Sequence, residues 1–265
     1  MRALDLSFPQ IGQPVTPDYW RAVKSEGYEL AVIGLWGAVT PNTEAEKWLR
    51  EAREAGLLTA CYVAINGSRP GWEHVDIGRG YAGDEWEHCH FCAIDVEVEG
   101  VTLPQITQAI QRVVELGKSP ILYTARWFWR DRLGDPTGFS NTPLWTADYD
   151  NDPTLDFPLP YGGWDLGVLC GKQFSDAGNI WGVTFDINTF DGDWLEALRM
   201  PAEVTQTPQD TLAALEAAFN VMWRVRVGRT ARAKSLLTTA QRWGPTQVRA
   251  VAEAWNAHAK AVRDG

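Results

Sequence analysis

The strongest constraint on the fold is an alternation of short apolar runs with amphipathic helical segments over the first two hundred residues. This alternation is the signature of an α/β domain with a parallel sheet, and eight strand-like runs favour a closed barrel. The expected strands span residues 3–8, 30–34, 59–64, 91–97, 120–123, 144–147, 169–174 and 183–187. The expected helices span residues 18–25, 43–55 and 103–116.

One apolar run ends in two carboxylates at alternate positions, Asp95 and Glu97. Strand side chains face opposite ways at about 3.3 Å per residue, so the two Cα atoms are expected roughly 6.6 Å apart on one face. Barrel enzymes keep their chemistry at the C-terminal ends of the strands, and such a pair suits catalysis at a glycosidic bond. The structural alternative is a salt-bridged pair that closes the barrel with Arg126 or Lys172.

Two further acids lie inside strand patterns, Asp5 in the first run and Asp186 in the last. The first and last strands of a closed barrel are neighbours, so these acids are expected side by side. Four acids at one mouth cannot all ionise cheaply, and one of them should retain its proton. Glu97 has the longer reach and is the better donor, whereas Asp95 is placed deeper, to orient the substrate or stabilise positive charge.

The charge of the chain differs between its two parts. Residues 1–200 carry 15 Lys and Arg against 29 Asp and Glu, a net charge of −14, whereas residues 201–265 carry 9 against 5, a net charge of +4. The acidic body argues against a nucleic-acid partner, because phosphate contacts need a basic surface. The basic end is either a solvated helical surface or a contact for an anionic polymer.

The end of the chain predicts a linker at 200–208 and a small α-helical module at 209–265, after a barrel at 1–199. The module is expected to fold alone, to dock on the barrel, or to mediate self-association or wall contact. No apolar segment resembles a signal peptide or reaches membrane-spanning length. We therefore expect a soluble cytoplasmic product without membrane insertion.

Metal and cofactor chemistry is not expected. The four cysteines do not make a disulfide scaffold, and the cluster at residues 88–92 lacks the second half of a zinc-binding pattern. Cys61 and Cys92 instead fit strands as small buried hydrophobes.

The chain contains 14 Trp, and six of them fall near expected strand ends or in loops. An indole there is able to stack on a sugar ring, whereas the commoner place for an aromatic side chain is the core. The six are Trp36, Trp72, Trp86, Trp127, Trp145 and Trp164.

Six short motifs occur in order between residues 3 and 192. They are D-x-S-x-x-Q from Asp5, I-D-x-E through Asp95 and Glu97, P-x-x-Y-T from Pro120, L-W-x-A-x-Y from Leu144, Q-F-S-D from Gln173 and D-x-N-x-F-x-G from Asp186. Together they resemble the glycoside hydrolase family 25 lysozymes, muramidases of many phages and bacteria that cleave peptidoglycan.

The resemblance implies an irregular, flattened (β/α) TIM-like barrel with an acidic groove at the strand C-termini. It implies hydrolysis of the β-1,4 bond between N-acetylmuramic acid and N-acetylglucosamine, with bacterial peptidoglycan as the partner. Glu97 matches the general acid, Asp95 its partner carboxylate, and Asp5 and Asp186 the flanking acids. The substrate-binding candidates are Tyr62, Trp145, Tyr123, Tyr149 and Gln173.

The chain departs from the family pattern at two places, Phe8-Pro9 and Val63-Ala64. Neither change removes a proposed catalytic carboxylate, so they bear on substrate detail. The expected setting is a phage endolysin or virion-associated lysin that acts on the wall after holin-dependent lysis or from the virion. Retaining, inverting and substrate-assisted routes all remain open.

Two other functions compete with lysis. One is a catalytically silent glycan-binding or structural module of a phage tail or adhesion complex, and the other is a hydrolase of another polysaccharide. The four acids favour a hydrolase, because a binding module has no need of crowded carboxylates.

Overall fold

A computed structural model of the chain describes residues 1–156 and 160–199, in which strands and helices alternate. The strands are β1 (Arg2–Leu6), β2 (Leu30–Gly37), β3 (Thr40–Pro41), β4 (Leu58–Ala64), β5 (Phe91–Asp95), β6 (Ser119–Ala125), β7 (Leu144–Ala147), β8 (Leu169–Ile180) and β9 (Val183–Phe190). The helices are α1 (Pro17–Ser25), α2 (Ala45–Glu54), α3 (Gly71–Ala82), α4 (Leu103–Glu115), α5 (Arg126–Leu133) and α6 (Gly192–Arg199), with 3-10 turns at Phe8–Gln10 and Gly83–His88.

The strands close into a barrel. Their order is β1-β9-β8-β7-β6-β5-β4-β2, and β2 pairs back onto β1, while β3 extends β2 outside the ring. Closure satisfies the backbone groups that an open sheet would leave at its edges. The α/β barrel predicted from the sequence is therefore confirmed.

The prediction of a parallel sheet is wrong at the closure of the barrel. Strands β8 and β9 are antiparallel, and β9 is also antiparallel to β1. The turn between them holds only Trp181 and Gly182, whose φ angles are 52° and 84°. Positive φ at both central residues is typical of a tight hairpin, whereas a parallel connection needs a dozen or more residues.

Strand and helix limits follow the sequence patterns with local shifts. The seventh predicted strand, 169–174, ends six residues too early, because β8 runs to Ile180. The first strand ends at Leu6, because a 3-10 turn follows from Phe8, and Glu97 lies two residues beyond β5. Helices α3, α5 and α6 were not predicted.

The strand side chains form two apolar layers. In β5, Phe91 and Ala93 belong to the cluster inside the barrel, whereas Cys92 and Ile94 belong to the larger cluster beneath the helices. All four are fully buried. This alternation continues to Asp95, so the apolar interior gives way to acids at the C-terminal mouth.

Four of the six highlighted tryptophans, Trp36, Trp86, Trp145 and Trp164, are buried, and Trp72 and Trp127 are exposed. The predicted linker at 200–208 and module at 209–265 lie outside the described residues. Within residues 1–156 and 160–199, no helix has the length and apolar character needed to cross a membrane.

Candidate active site

A cavity of about 180 Å³ opens at the C-terminal mouth of the barrel. All nine residues identified from the sequence as catalytic or substrate-binding line it. They are Asp5, Tyr62, Asp95, Glu97, Tyr123, Trp145, Tyr149, Gln173 and Asp186. Residues 181 positions apart in the chain thus share one small space, although their individual roles remain predictions.

Strand register explains the convergence. Asp95 pairs with Tyr123 on β6, which pairs with Trp145 on β7, so these three residues lie side by side on adjacent parallel strands. On the opposite wall, Asp5 pairs directly with Asp186 across β1 and β9. The expectation that the first and last strands bring these two acids together is confirmed.

The ring of Tyr62 enters the mouth because the neighbouring strand carries no side chain at Gly34. A Cβ at Gly34 would lie 2.5 Å from Cζ of Tyr62 and 2.6 Å from Cβ of Ser7. Backbone contacts this close are a recurrent reason for glycine in a strand. Any larger residue at position 34 would displace the phenol from the acids.

Gln173 holds the two walls of the cavity together. Its Nε2 donates to Asp5 at 2.9 Å and to Asp186 at 3.0 Å. Its Oε1 accepts from the hydroxyl of Tyr123 at 2.6 Å and from that of Tyr149. A primary amide has two donor hydrogens and two acceptor lone pairs, so these bonds use its whole capacity. Gln173 therefore orients the acids and phenols.

Asn188 belongs to the D-x-N-x-F-x-G motif but was not predicted as a site residue. Its Nδ2 donates to Asp5 at 2.7 Å, and its Oδ1 accepts from Nε1 of Trp145 at 2.9 Å. The available signal was its place two residues after Asp186 in the last strand, a second polar side chain on the same inward face.

The four acids share an environment that favours the protonated carboxyl. Burial, then the charge of Asp186, raises the pKa of Asp5 to about 8, although hydrogen bonds from Asn188 and Gln173 oppose this. Burial, then the charges of Glu97 and Asp5, raises the pKa of Asp95 well above its usual range.

The pKa values of the two remaining acids, Glu97 and Asp186, are raised less than that of Asp5. Burial, together with the charge of Asp186 and against a backbone hydrogen bond at Ala125, raises the pKa of Glu97 to about 7. Burial, then the charge of Asp176, raises the pKa of Asp186 to about 6. All four pKa values are thus raised, which is the direction that burial and crowding of like charges predict for these acids.

The described residues do not form the predicted alternative, a salt bridge from Asp95 or Glu97 to Arg126 or Lys172. Nζ of Lys172 lies 2.7 Å from Asp150 and 2.9 Å from Asp156, outside the cavity lining. Within the described residues, neither Asp95 nor Glu97 forms an ion pair with Lys172 or Arg126. Oδ1 of Asp95 is buried without a hydrogen-bond partner there. The pair therefore lines the cavity without either of the two cationic partners considered for it.

No group of three or more His, Cys, Asp or Glu in the described part of the chain is arranged to hold a metal ion. The four cysteines are buried and free.

A barrel with several interacting carboxyls at its C-terminal mouth is typical of a glycoside hydrolase, in which one acid protonates the leaving oxygen and another assists. The family model described as Glycosyl hydrolases family 25 matches residues 13–183. The chain belongs to this family and is a glycoside hydrolase of the lysozyme class. The matched segment contains Asp95 and Glu97, whereas Asp5 and Asp186 lie outside it.

Individual relatives agree with the family match. "Probable GH family 25 lysozyme 2" of Dictyostelium discoideum is 26% identical over 205 residues, which cover 70% of this chain and 91% of the relative. A solved muramidase from Trichobolus zukalii has a TM-score of 0.60 at 21% identity and covers 75% of this chain and 98% of its own. A Streptomyces coelicolor lysozyme has a TM-score of 0.60 at 20% identity, with coverages of 75% and 96%.

Proposed function

We propose that the chain is a muramidase that hydrolyses the β-1,4 bond between N-acetylmuramic acid and N-acetylglucosamine in peptidoglycan. The observation that carries the proposal is Glu97 at the cavity mouth with a pKa raised to about 7. A general acid is most effective when its pKa lies near the working pH, because it then holds its proton and still releases it readily.

Glu97 is the proposed donor of the proton to the leaving glycosidic oxygen. Asp95, the last residue of β5, lines the same cavity and has an unpartnered buried oxygen. We assign it to the substrate, where it accepts a hydrogen bond from the N-acetyl group or stabilises positive charge at the anomeric carbon. Attack by Asp95, attack by water and assistance from the N-acetyl group all remain compatible with this placement.

Asp186 supports the donor electrostatically, and Asp5 belongs to the hydrogen-bond network that holds Asp186 in place. The negative charge of Asp186 contributes to the raised pKa of Glu97. The amide of Gln173 joins both aspartates, so their positions are fixed before substrate arrives. Preorganised charge of this kind costs no rearrangement during the reaction.

The aromatic side chains supply the proposed sugar contacts. Tyr62, Tyr123 and Trp145 line the cavity, and Tyr149 is half exposed at its edge. Rings of this size present flat apolar faces with polar tips, which suits a pyranose ring with one apolar face. The 180 Å³ cavity leaves the rest of a glycan strand outside it.

The setting of the activity remains a prediction. Solved structures with similar folds include fungal and bacterial muramidases and the catalytic domain of a Listeria bacteriophage endolysin. We propose release at lysis or carriage on a virion as the route to the wall, with residues 209–265 as a wall or self-association contact. Following the protein during lysis of a producing culture, or in purified virions, distinguishes the two routes.

The chain provides a matched pair of variants for testing the activity. Glu97 lines the cavity, whereas Glu99, two residues further on, is exposed and pairs with Arg132 at 3.2 Å. Purified bacterial walls are digested with the parent, Glu97→Gln and Glu99→Gln, and the released saccharides are reduced and identified by mass spectrometry. We expect the parent and Glu99→Gln to release saccharides with reducing N-acetylmuramic acid ends, and Glu97→Gln to be slower by at least about 100-fold.

Three outcomes contradict the proposal. Equal cleavage by Glu97→Gln and the parent excludes Glu97 as the acid. A parent protein that binds walls and releases nothing supports the silent glycan-binding module. Release of saccharides from another polysaccharide but not from walls supports a hydrolase of that polysaccharide.

A further inference from the structure

A second cavity lies on the outer surface of the barrel, between α3 and α4. Its volume is about 400 Å³, more than twice that of the catalytic cavity. It shares no lining residue with the catalytic cavity. The groove residues are Trp72, Asp76, Gln108, Gln111, Arg112 and Glu115.

Trp72 gives this groove an open aromatic wall. Its side chain is 45% exposed, whereas Trp20, Trp48 and Trp129 are almost completely buried. An exposed indole does not contribute the stabilisation that the buried aromatic side chains provide. Exposed apolar groups in a surface groove are common binding elements. The exposed face is therefore available to a flat ligand.

The backbone around Trp72 is held rigidly against α4. A Cβ at Gly71 would lie 1.9 Å from the carbonyl oxygen of Gln105, so only glycine permits this approach. The amide of Gly71 donates to Oε1 of Gln108 at 3.0 Å, and Nε2 of Gln105 donates to the carbonyl of Arg69 at 2.7 Å. The indole thus starts from a fixed helix rather than from a mobile loop.

The polar wall of the groove consists of paired charges and amides. Arg112 donates to Asp76 at 2.7 Å and to Glu115 at 3.0 Å. Two carboxylates around one guanidinium leave the groove slightly acidic, which disfavours a polyanion. Gln111 is exposed beside them. Carboxylates and amides around an aromatic face complement a neutral ring that carries hydroxyl and acetamido groups.

We infer that this groove is a second glycan site, which binds a strand of N-acetylated sugars away from the catalytic cavity. The inference rests on the proposed function. The substrate is an extended polymer, and a second contact on the same strand raises the effective concentration of its bonds at the mouth.

The test measures binding of the full chain to purified insoluble walls, in the Glu97→Gln background so that cleavage does not interfere. We expect Trp72→Ala to weaken binding about tenfold, which is about 1.4 kcal/mol. Trp72→Phe, which keeps an aromatic face, should recover most of this loss. Trp181→Ala is the matched control, because Trp181 is 64% exposed on the β8–β9 turn, and it should change affinity by less than about twofold.

A second measurement covers the case in which residues 201–265 dominate wall affinity. The indole N–H resonance of Trp72, assigned from its loss in Trp72→Phe, is followed by nuclear magnetic resonance while soluble N-acetylglucosamine oligomers are added. A saturable shift supports the glycan site.

Three results overturn the inference. The first is wall binding by Trp72→Ala as strong as without this substitution, together with a Trp72 resonance that does not shift when oligomers are added to the protein that retains Trp72. The second is an equal loss of wall binding in Trp181→Ala. The third is a loss of binding that sedimentation explains by a changed oligomeric state. The proposed function fails separately, if the parent with intact Glu97 cleaves no wall while Trp72-dependent binding persists.

Discussion

Replacing Asp5 by Asn should stabilise the fold at pH 8, although it removes an acid from the proposed site. Burial, then the charge of Asp186, raises the pKa of Asp5 from its usual 3.8 to about 8. At 1.36 kcal/mol per pKa unit, an independent group with these values costs the folded state ~5 kcal/mol at pH 8. Because Asp186 shares this repulsion, and because the amides of Gln173 and Asn188 prefer a carboxylate, we expect a net gain of about 2–3 kcal/mol.

The sign of the effect follows from proton binding. Between pH 4 and pH 8 the unfolded chain has released the Asp5 proton and the folded chain retains it, so the stability contributed by this group falls as pH rises. Below pH 4 both states hold the proton. The gain from Asp5→Asn should therefore be close to zero at pH 4 and largest at pH 8.

Urea unfolding followed by tryptophan fluorescence measures this gain, since 11 of the 14 Trp lie within residues 1–199. Unfolding midpoints are compared at pH 4, 6 and 8 for the parent, Asp5→Asn and Asp131→Asn. Asp131 is an exposed residue of α5 and controls for loss of a surface charge. Lower stability of Asp5→Asn at pH 8, or an equal gain at every pH, refutes the reasoning.

Three further predictions concern the donor, a buried lysine and the end of the chain. The turnover rate on soluble glycan should fall as pH rises above about 7, because Glu97 then loses its proton, and a rate that stays constant to pH 9 contradicts this. Lys172→Met should lower the free energy of unfolding, because Asp150 and Asp156 lose their cation. The loss should be only ~1–2 kcal/mol, because both carboxylates remain partly exposed to water, and unchanged urea midpoints contradict it. Truncation after Arg199 should leave a folded barrel by circular dichroism, and loss of the whole thermal transition argues for one core.

The barrel was predictable because apolar periodicity is a local property of the sequence. Its antiparallel closure was not, since Gly178 and the polar residues around it interrupt the apolar pattern of β8 before its end. Helix α3 was missed for a related reason. Its glycines, among them Gly71 and Gly78, lower helix propensity and serve close packing instead, which depends on neighbours distant in the chain.

The acids of the site were predictable because each closes or interrupts an apolar run. The hydrogen bonds that connect these acids were not predictable, because they depend on the register between neighbouring strands. Gln173 contacts acids on β1 and β9 and phenols on or after β6 and β7. Asn188 is held by Trp145, 43 positions away. The pKa values likewise depend on burial, which the sequence expresses only as a pattern.

The measurement that tests the central claim most directly compares Glu97→Gln on two leaving groups. A wall disaccharide bond needs protonation of its leaving oxygen, whereas an aryl glycoside of the same sugars with a nitrophenolate leaving group does not. We predict a loss in turnover rate of about 100-fold or more on the natural bond and a much smaller loss on the aryl glycoside. Equal losses on both substrates would contradict proton donation by Glu97.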